Sequence, residues 1–404
     1  MQTRIVLGLA FVAGSAMSCG ALAANYTAGN LVLTQVGPGS GTGGALNSFA
    51  TAVTLREFSP SGASFVANDL SLPSTGPDKL LLSGSATSEG MLTLSTDQRY
   101  LTLGGYDAIV GQQGANVNSS IATSANFTGA STTIVNRMVG RVDVSQNTSL
   151  YRMTNAYSGS NFRSVASSDG STFHTSGTAS TNPNQAVSAG VRLFDPSAGS
   201  DSTQLGAPPT NIRVVNLALG GRVFGSAQSA PFNGISEWSG GAAVLLPGMA
   251  STFVTNDLAP TDFVFIDSDT LYVADEGVLT GTVGTPPKNR VGGLQRWEFD
   301  GANWNLQYRI TGNLTAGLRG LCATVDLDGN PVFYATSADT LSKLVTVTDT
   351  GLSTDTSSAL GFTLLATAAT NQAFRGVDFA PIPAPGAGIL LGIGALVAAR
   401  RRRA

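Results

Sequence analysis

An all-β chain assembled from repeated units of about 50 residues is what these 404 residues encode. Three observations lead there. Charged residues make up only 12%, while 49 glycines and many Ser, Thr and Asn separate short apolar runs, a balance that favours turns and strands. The apolar runs are strand-length and rich in Val, Leu, Phe, Tyr and Thr, as in Leu31-Val32-Leu33-Thr34-Gln35-Val36, Tyr100-Leu101-Thr102-Leu103 and Phe263-Val264-Phe265-Ile266. No window of the body sustains a helical period with caps.

The third observation is repetition. Phe162-Arg163-Ser164-Val165, Leu318-Arg319-Gly320-Leu321 and Phe374-Arg375-Gly376-Val377 share an apolar-Arg-small-apolar signature, and Ile212-Arg213-Val214-Val215 is a looser copy. Around them recurs a strand, polar turn, strand pattern, at 165–173, 263–273 and 324–334. Taking Leu92, Val165, Val215, Val264, Leu321 and Val377 as equivalent gives intervals of 73, 50, 49, 57 and 56 residues. The long first interval holds the Gly/Ser/Asn-rich stretch from Gly111 to Gly129, which reads as a loop.

Units of this length, with room for four short strands, predict a β-propeller of six or seven blades. The last copy is a single strand, and the stretch before Leu92 lacks one. Val377 is therefore expected to supply the innermost strand of a blade whose other strands come from Asn30 to Phe65, closing the ring and removing exposed sheet edges. A β-solenoid or paired sandwiches is the alternative; solenoid rungs are far shorter than 50 residues. The repeated Arg has two readings: tying blades together through carbonyls or acids, or, if several face the channel, binding an anion with their planar donor forks.

Both ends read as addresses. Arg4, an apolar run from Ile5 to about Ala16, and Ala21-Leu22-Ala23 make a leader over residues 1–23, cut after Ala23. The body spans 24–380. The segment 381–404 holds Pro381-Ile382-Pro383-Ala384-Pro385, the apolar stretch Gly386 to Ala399, and Arg400, Arg401, Arg402 and Arg403. That stretch is short of the roughly 20 residues a comfortable span needs. The terminal arginines set a cytoplasmic side, which leaves the body outside the inner membrane.

This tripartite tail resembles the PEP-CTERM sorting signals, with Ala384 where the motif's name has Glu, and the body resembles a bacterial extracellular propeller. The resemblance covers about the last 25 residues. It implies signal peptidase and an exosortase-like enzyme as processing partners, with Ala23, Pro383, Pro385 and Arg400 to Arg403 as processing residues. It also implies transient inner-membrane contact and display on the surface or in the matrix of a Gram-negative bacterium. An anchor that is never cut is the alternative.

Composition excludes several functions. With the five arginines of the two ends set aside, 17 basic against 25 acidic residues give the body a net charge near −8, so no nucleic-acid partner is expected. Cys322 would be alone after cleavage, in an apolar run, and reads as a core residue. His174 is the only histidine, which rules out metal sites of two or more His in one chain, and no Gly-x-Ser-x-Gly elbow accompanies it. No catalytic or cofactor-binding residue is expected. Asp326-Leu327-Asp328-Gly329-Asn330 and Asp267-Ser268-Asp269 are weak calcium candidates that read first as hairpin turns, since counting from Asp326 puts Ser337 where an EF-hand loop has Glu. Trp238, Trp297 and Trp304 read as packing residues, although Trp beside Glu also suits a sugar.

The resulting expectation is a non-enzymatic propeller that binds or scaffolds, with extracellular polysaccharide as a candidate partner. The alternatives are a polysaccharide hydrolase or lyase on the same scaffold, or a calcium-dependent adhesin.

Overall fold

The computed structural model describes residues 25–38, 44–126, 134–180, 185–249, 258–278, 290–351 and 360–383. The expected leader with Ala23, and the expected tail with Pro385 and Arg400 to Arg403, lie outside the described residues. Among the described residues, no helix is long and apolar enough to cross a membrane.

The chain opens with β1 (Leu31–Val36), β2 (Ala50–Thr51), β3 (Val53–Phe58), β4 (Leu70–Ser71) and β5 (Leu82–Ser83). Blade 2 follows as β6 (Thr93–Leu94), β7 (Tyr100–Tyr106), β8 (Arg137–Asp143) and β9 (Thr148–Met153). Blade 3 is β10 (Phe162–Ala166), β11 (Phe173–Gly177), β12 (Gly190–Phe194) and β13 (Ser202–Gly206). Blade 4 is β14 (Val215–Ala218), β15 (Arg222–Ala227), β16 (Gly234–Ser239) and β17 (Ala242–Leu245). Blade 5 is β18 (Pro260–Phe265), β19 (Thr270–Val278), β20 (Arg290–Phe299) and β21 (Trp304–Ile310). Blade 6 is β22 (Leu318–Val325), β23 (Pro331–Ser337), β24 (Lys343–Thr348) and β25 (Thr363–Thr367). The last strand, β26 (Ala373–Phe379), pairs with β1, so blade 1 reads β26-β1-β3-β4.

The fold is a six-bladed β-propeller. Each of the six expected equivalent residues lies in an innermost strand or, for Leu92, immediately before one. The closure expected from Val377 is present, with Val377 opposite Leu33. One detail differs: the outermost strand of blade 1 lies beyond Phe65, because a tight turn at Val66–Asn68 brings Leu70 back against Leu55.

Strand alternation explains why the inner strands are apolar on both faces. Leu31 and Leu33 of β1 pack toward blade 6, while Val32 and Val36 pack toward blade 2. Likewise Leu271 and Val273 face blade 4, and Tyr272 and Ala274 face blade 6. Successive side chains of a strand point to opposite faces, and here each face meets a neighbouring blade. The apolar core is accordingly divided among the six seams of the ring.

A polar contact recurs at these seams close to the axis. A hydroxyl of one blade donates to an inner-strand carbonyl of the next: Thr102 to Val165, Ser176 to Arg213, Ser226 to Thr261 and Thr336 to Arg375. Blade 5 has Ala274 at this place, and Thr261 donates to the Leu318 carbonyl instead. Blade 1 has Thr34, whose hydroxyl finds no partner among the described residues; that seam is joined by Asp378, which accepts the Leu94 N–H at 2.6 Å.

Candidate functional site

The innermost strands are irregular where the repeated Arg falls. Pairing register shifts between Phe162 and Ser164, between Leu318 and Leu321, and between Phe374 and Val377. Bulges of this kind re-aim a side chain, and here the residue in the bulge is Arg163, Arg319 or Arg375. After Arg319 and Arg375 a glycine lets neighbouring inner strands touch. A Cβ on Gly376 would lie 2.1 Å from the Leu92 nitrogen, and one on Gly320 would lie 2.9 Å from the Arg375 carbonyl. In blade 5 the position two before Val264 is Asp262, whose carboxylate accepts the Leu321 N–H at 3.0 Å rather than joining the arginines.

Arg163, Arg213, Arg319 and Arg375 come from blades 3, 4, 6 and 1 and gather at one mouth of the channel. Arg163 donates to the Asn211 side chain at 2.5 Å and to the Ile212 carbonyl at 2.9 Å. Arg213 donates to Gln228 at 2.6 Å, and Arg375 to the Gly84 carbonyl at 2.9 Å. Arg319 Nε reaches Glu276 at 2.9 Å. Among the described residues, the Nε atoms of Arg163 and Arg375 are buried without a partner.

Charge is crowded here. Burial, followed by the neighbouring Arg213, pushes the Arg163 guanidinium down to about 9. Burial, followed by Arg319, pushes Arg375 down to about 10. Burial works to raise the Glu276 carboxyl, but Arg319 and Arg213 outweigh it and hold the group below its ordinary value. A guanidinium stays charged under ordinary conditions, so these neighbours favour an added anion between them. Each of these arginines ties backbone or side-chain oxygens, and four of them share one mouth.

Glu89 stands behind the mouth in blade 2, fully buried, and accepts from Tyr106 at 2.6 Å, Asn161 at 2.6 Å and Ser83 N–H at 3.0 Å. Burial raises its carboxyl despite these donors. The ring of Tyr106 in turn lies 5.0 Å from the Arg137 guanidinium, which donates to the carbonyls of Ala122, Ser124, Val135, Tyr157 and Ser160.

The other sequence candidates lie elsewhere. Asp326 and Asp328 sit in the β22–β23 turn, where Asp326 accepts the N–H of Asp328 and of Asn330 at 2.9 and 2.8 Å. Asp267 and Asp269 sit in the β18–β19 turn, with Asp267 accepting the Asp269 N–H at 2.8 Å. No group of three or more metal-ligating side chains occurs among the described residues. His174 is a half-buried strand residue opposite Leu193 and Ala166. Trp238, Trp297 and Trp304 are buried packing residues, and Cys322 is buried in β22. Pro383 is exposed at the end of the described chain; Ile382, just before it, donates its N–H to Gln98 at 2.8 Å.

Sequence reasoning missed Glu276, Gln228 and Asn211 as members of the mouth. Gln228 and Asn211 each lie just outside a strand, and Glu276 sits near the far end of β19; none belongs to the repeated signature.

No family model matches the chain, and no curated protein matches it. Similarity is to solved structures. A protein from Bacteroides uniformis assigned as a 6-phosphogluconolactonase is 14% identical, with 84% of this chain and 83% of that chain covered and a TM-score of 0.42. Another so assigned, from Bacteroides fragilis, is 10% identical over 83% and 81%, with a TM-score of 0.41. The GH74 xyloglucanase of Xanthomonas campestris is 10% identical over 81% of this chain and 46% of its own, with a TM-score of 0.39. Identities of this size say nothing about chemistry.

Proposed function

We propose that this chain is an exported, surface-displayed propeller that works by binding, with the arginine mouth as its ligand face. The convergence of Arg163, Arg213, Arg319 and Arg375 from four blades carries the reading, since it concentrates positive charge in a body whose net charge is negative. Export rests on the leader and on the tail that resembles a PEP-CTERM signal, with signal peptidase and an exosortase-like enzyme as its processing partners.

The direction of the strands fits display. The arginines stand at the beginning of the inner strands, whereas β26 ends at the opposite mouth, where the Ala380 N–H donates to Asn30 and Ile382 to Gln98. A body held at the envelope by the segment after Pro383 turns its arginine mouth outward.

The test compares dextran sulfate with dextran, which share a backbone and differ in charge, on the purified full chain. The melting temperature is expected to rise with dextran sulfate only, and the rise to disappear in the Arg163→Gln/Arg213→Gln variant. An equal response to both polymers, or to neither, overturns the reading; shortening of the polymer would make the protein an enzyme.

A further inference from the structure

Beside the channel axis, between blades 6 and 1, a cavity of about 310 Å³ opens over two of the arginines. Arg319 and Arg375, both nearly inaccessible, form its floor, and exposed Ser85, Thr87 and Thr340 with half-buried Asp339 form its rim. Resting on the reading of the mouth as a ligand face, we propose that this cavity binds one acidic sugar unit, its carboxylate on Arg319 and Arg375 and its hydroxyls against the rim.

Three observations converge on that class. The floor is built for an anion: among the described residues Arg375 is buried with its Nε unpartnered, and Arg319 is held through its Nε by Glu276. Its charge suits one carboxylate, because Glu276 offsets one of the two guanidiniums and Lys343, 3.3 Å from Asp339, offsets the rim acid. The rim suits hydroxyls: Ser85, Thr87 and Thr340 donate or accept, while Asp339 only accepts, which would repel a second acid but receive a sugar O–H. Asp339 is itself held by Thr315 at 2.6 Å and by Ser337 at 2.7 Å, so the rim acceptor is fixed in place. A volume of this size stands at the small end of ligand cavities, about 300–1,000 Å³, and admits a single ring.

The experiment measures binding of glucuronate, glucose and acetate to the full chain by calorimetry, with dextran sulfate as a check on the wider mouth. Glucuronate is expected to bind at least tenfold more tightly than either acetate or glucose. Ser85→Ala/Thr340→Val, at exposed positions that leave the fold intact, is expected to remove the preference over acetate. Arg319→Gln is expected to weaken glucuronate and acetate alike. Equal binding of acetate and glucuronate overturns the sugar assignment, and equal binding of glucose and glucuronate overturns the arginine floor. If glucuronate fails while dextran sulfate still binds, this cavity is overturned and the arginine mouth stands; if both fail, both readings fall.

Discussion

Asp378, on the last strand, accepts the backbone N–H of Leu94 across the seam that closes the ring, at 2.6 Å and across 284 residues of sequence. Asp262 does the same for Leu321 two blade interfaces away. Both carboxyls are buried, which pushes Asp378 up to about 7 and Asp262, with Asp378 as a lesser cause, up to about 8. In the unfolded chain these groups titrate near 4, so between about pH 4 and pH 8 the native state holds more protons than the unfolded one, and stability falls as pH rises. The melting temperature of the full chain is expected to drop by several degrees from pH 5 to pH 8. Asp262→Asn/Asp378→Asn should start lower, since an amide presents one acceptor to two N–H groups, and should show a flatter profile. An unchanged slope in that variant would assign the pH dependence elsewhere.

Arg137 is the largest buried cation of blade 2, and it donates to five carbonyls from three segments of chain. Replacing it with Leu strands those carbonyls and removes one of the cations near Glu89. A loss of about 3–5 kcal/mol is expected in denaturant unfolding.

Gly376 is required by proximity, because a methyl group there meets the Leu92 backbone of blade 2. Gly376→Ala is expected to cost about 3 kcal/mol, the upper end for overpacking. Gly44→Ala, with nothing within 4 Å, should change stability by less than about 0.5 kcal/mol.

Removing the last strand should be far worse than removing the tail. A chain ending at Gln372 leaves β1 and blade 6 unpartnered and is expected to lose cooperative unfolding and to aggregate through the open edge. A chain ending at Pro383 keeps β26 and should melt as the full chain does. Comparison of the two by calorimetry and light scattering decides the point.

Asp326 holds its turn through two backbone N–H groups and the Asn330 side chain. Asp326→Ala is expected to cost about 1 kcal/mol, by the same amount with and without a chelator. A chelator-dependent difference would assign calcium to these turns.

Much of this architecture was legible because a propeller repeats one demand. Each inner strand must be apolar on both faces and must pass close to its neighbours, so Val165, Leu321 and Val377 sit in similar surroundings and carry similar flanks. The ring closure was legible for the same reason, since a lone copy at Phe374 to Phe379 needs partners that only the N-terminal stretch can supply. The sequence does not separate six blades from seven, because blade 1 is divided between the two ends and its outer strand is only two residues long. The site was half legible. The arginines share a signature, but Glu276 enters from the second strand of blade 5, whose inner strand carries Asp262 in place of Arg, and no local pattern couples those two positions. Ser85, Thr87 and Thr340 reach the same cavity from loops about 250 residues apart, a proximity only the closed ring creates.

Because β26 is the innermost strand of blade 1, the ring cannot close until residue 379 of 404 has been made. Until β26 is in place the body is an open arc with two bare sheet edges, and its axis is unformed. The arginine mouth, which needs blades 1 and 6 side by side, therefore comes into being in the same step that commits the chain to its final shape. A chain that stops early carries the same signature residues and no assembled mouth.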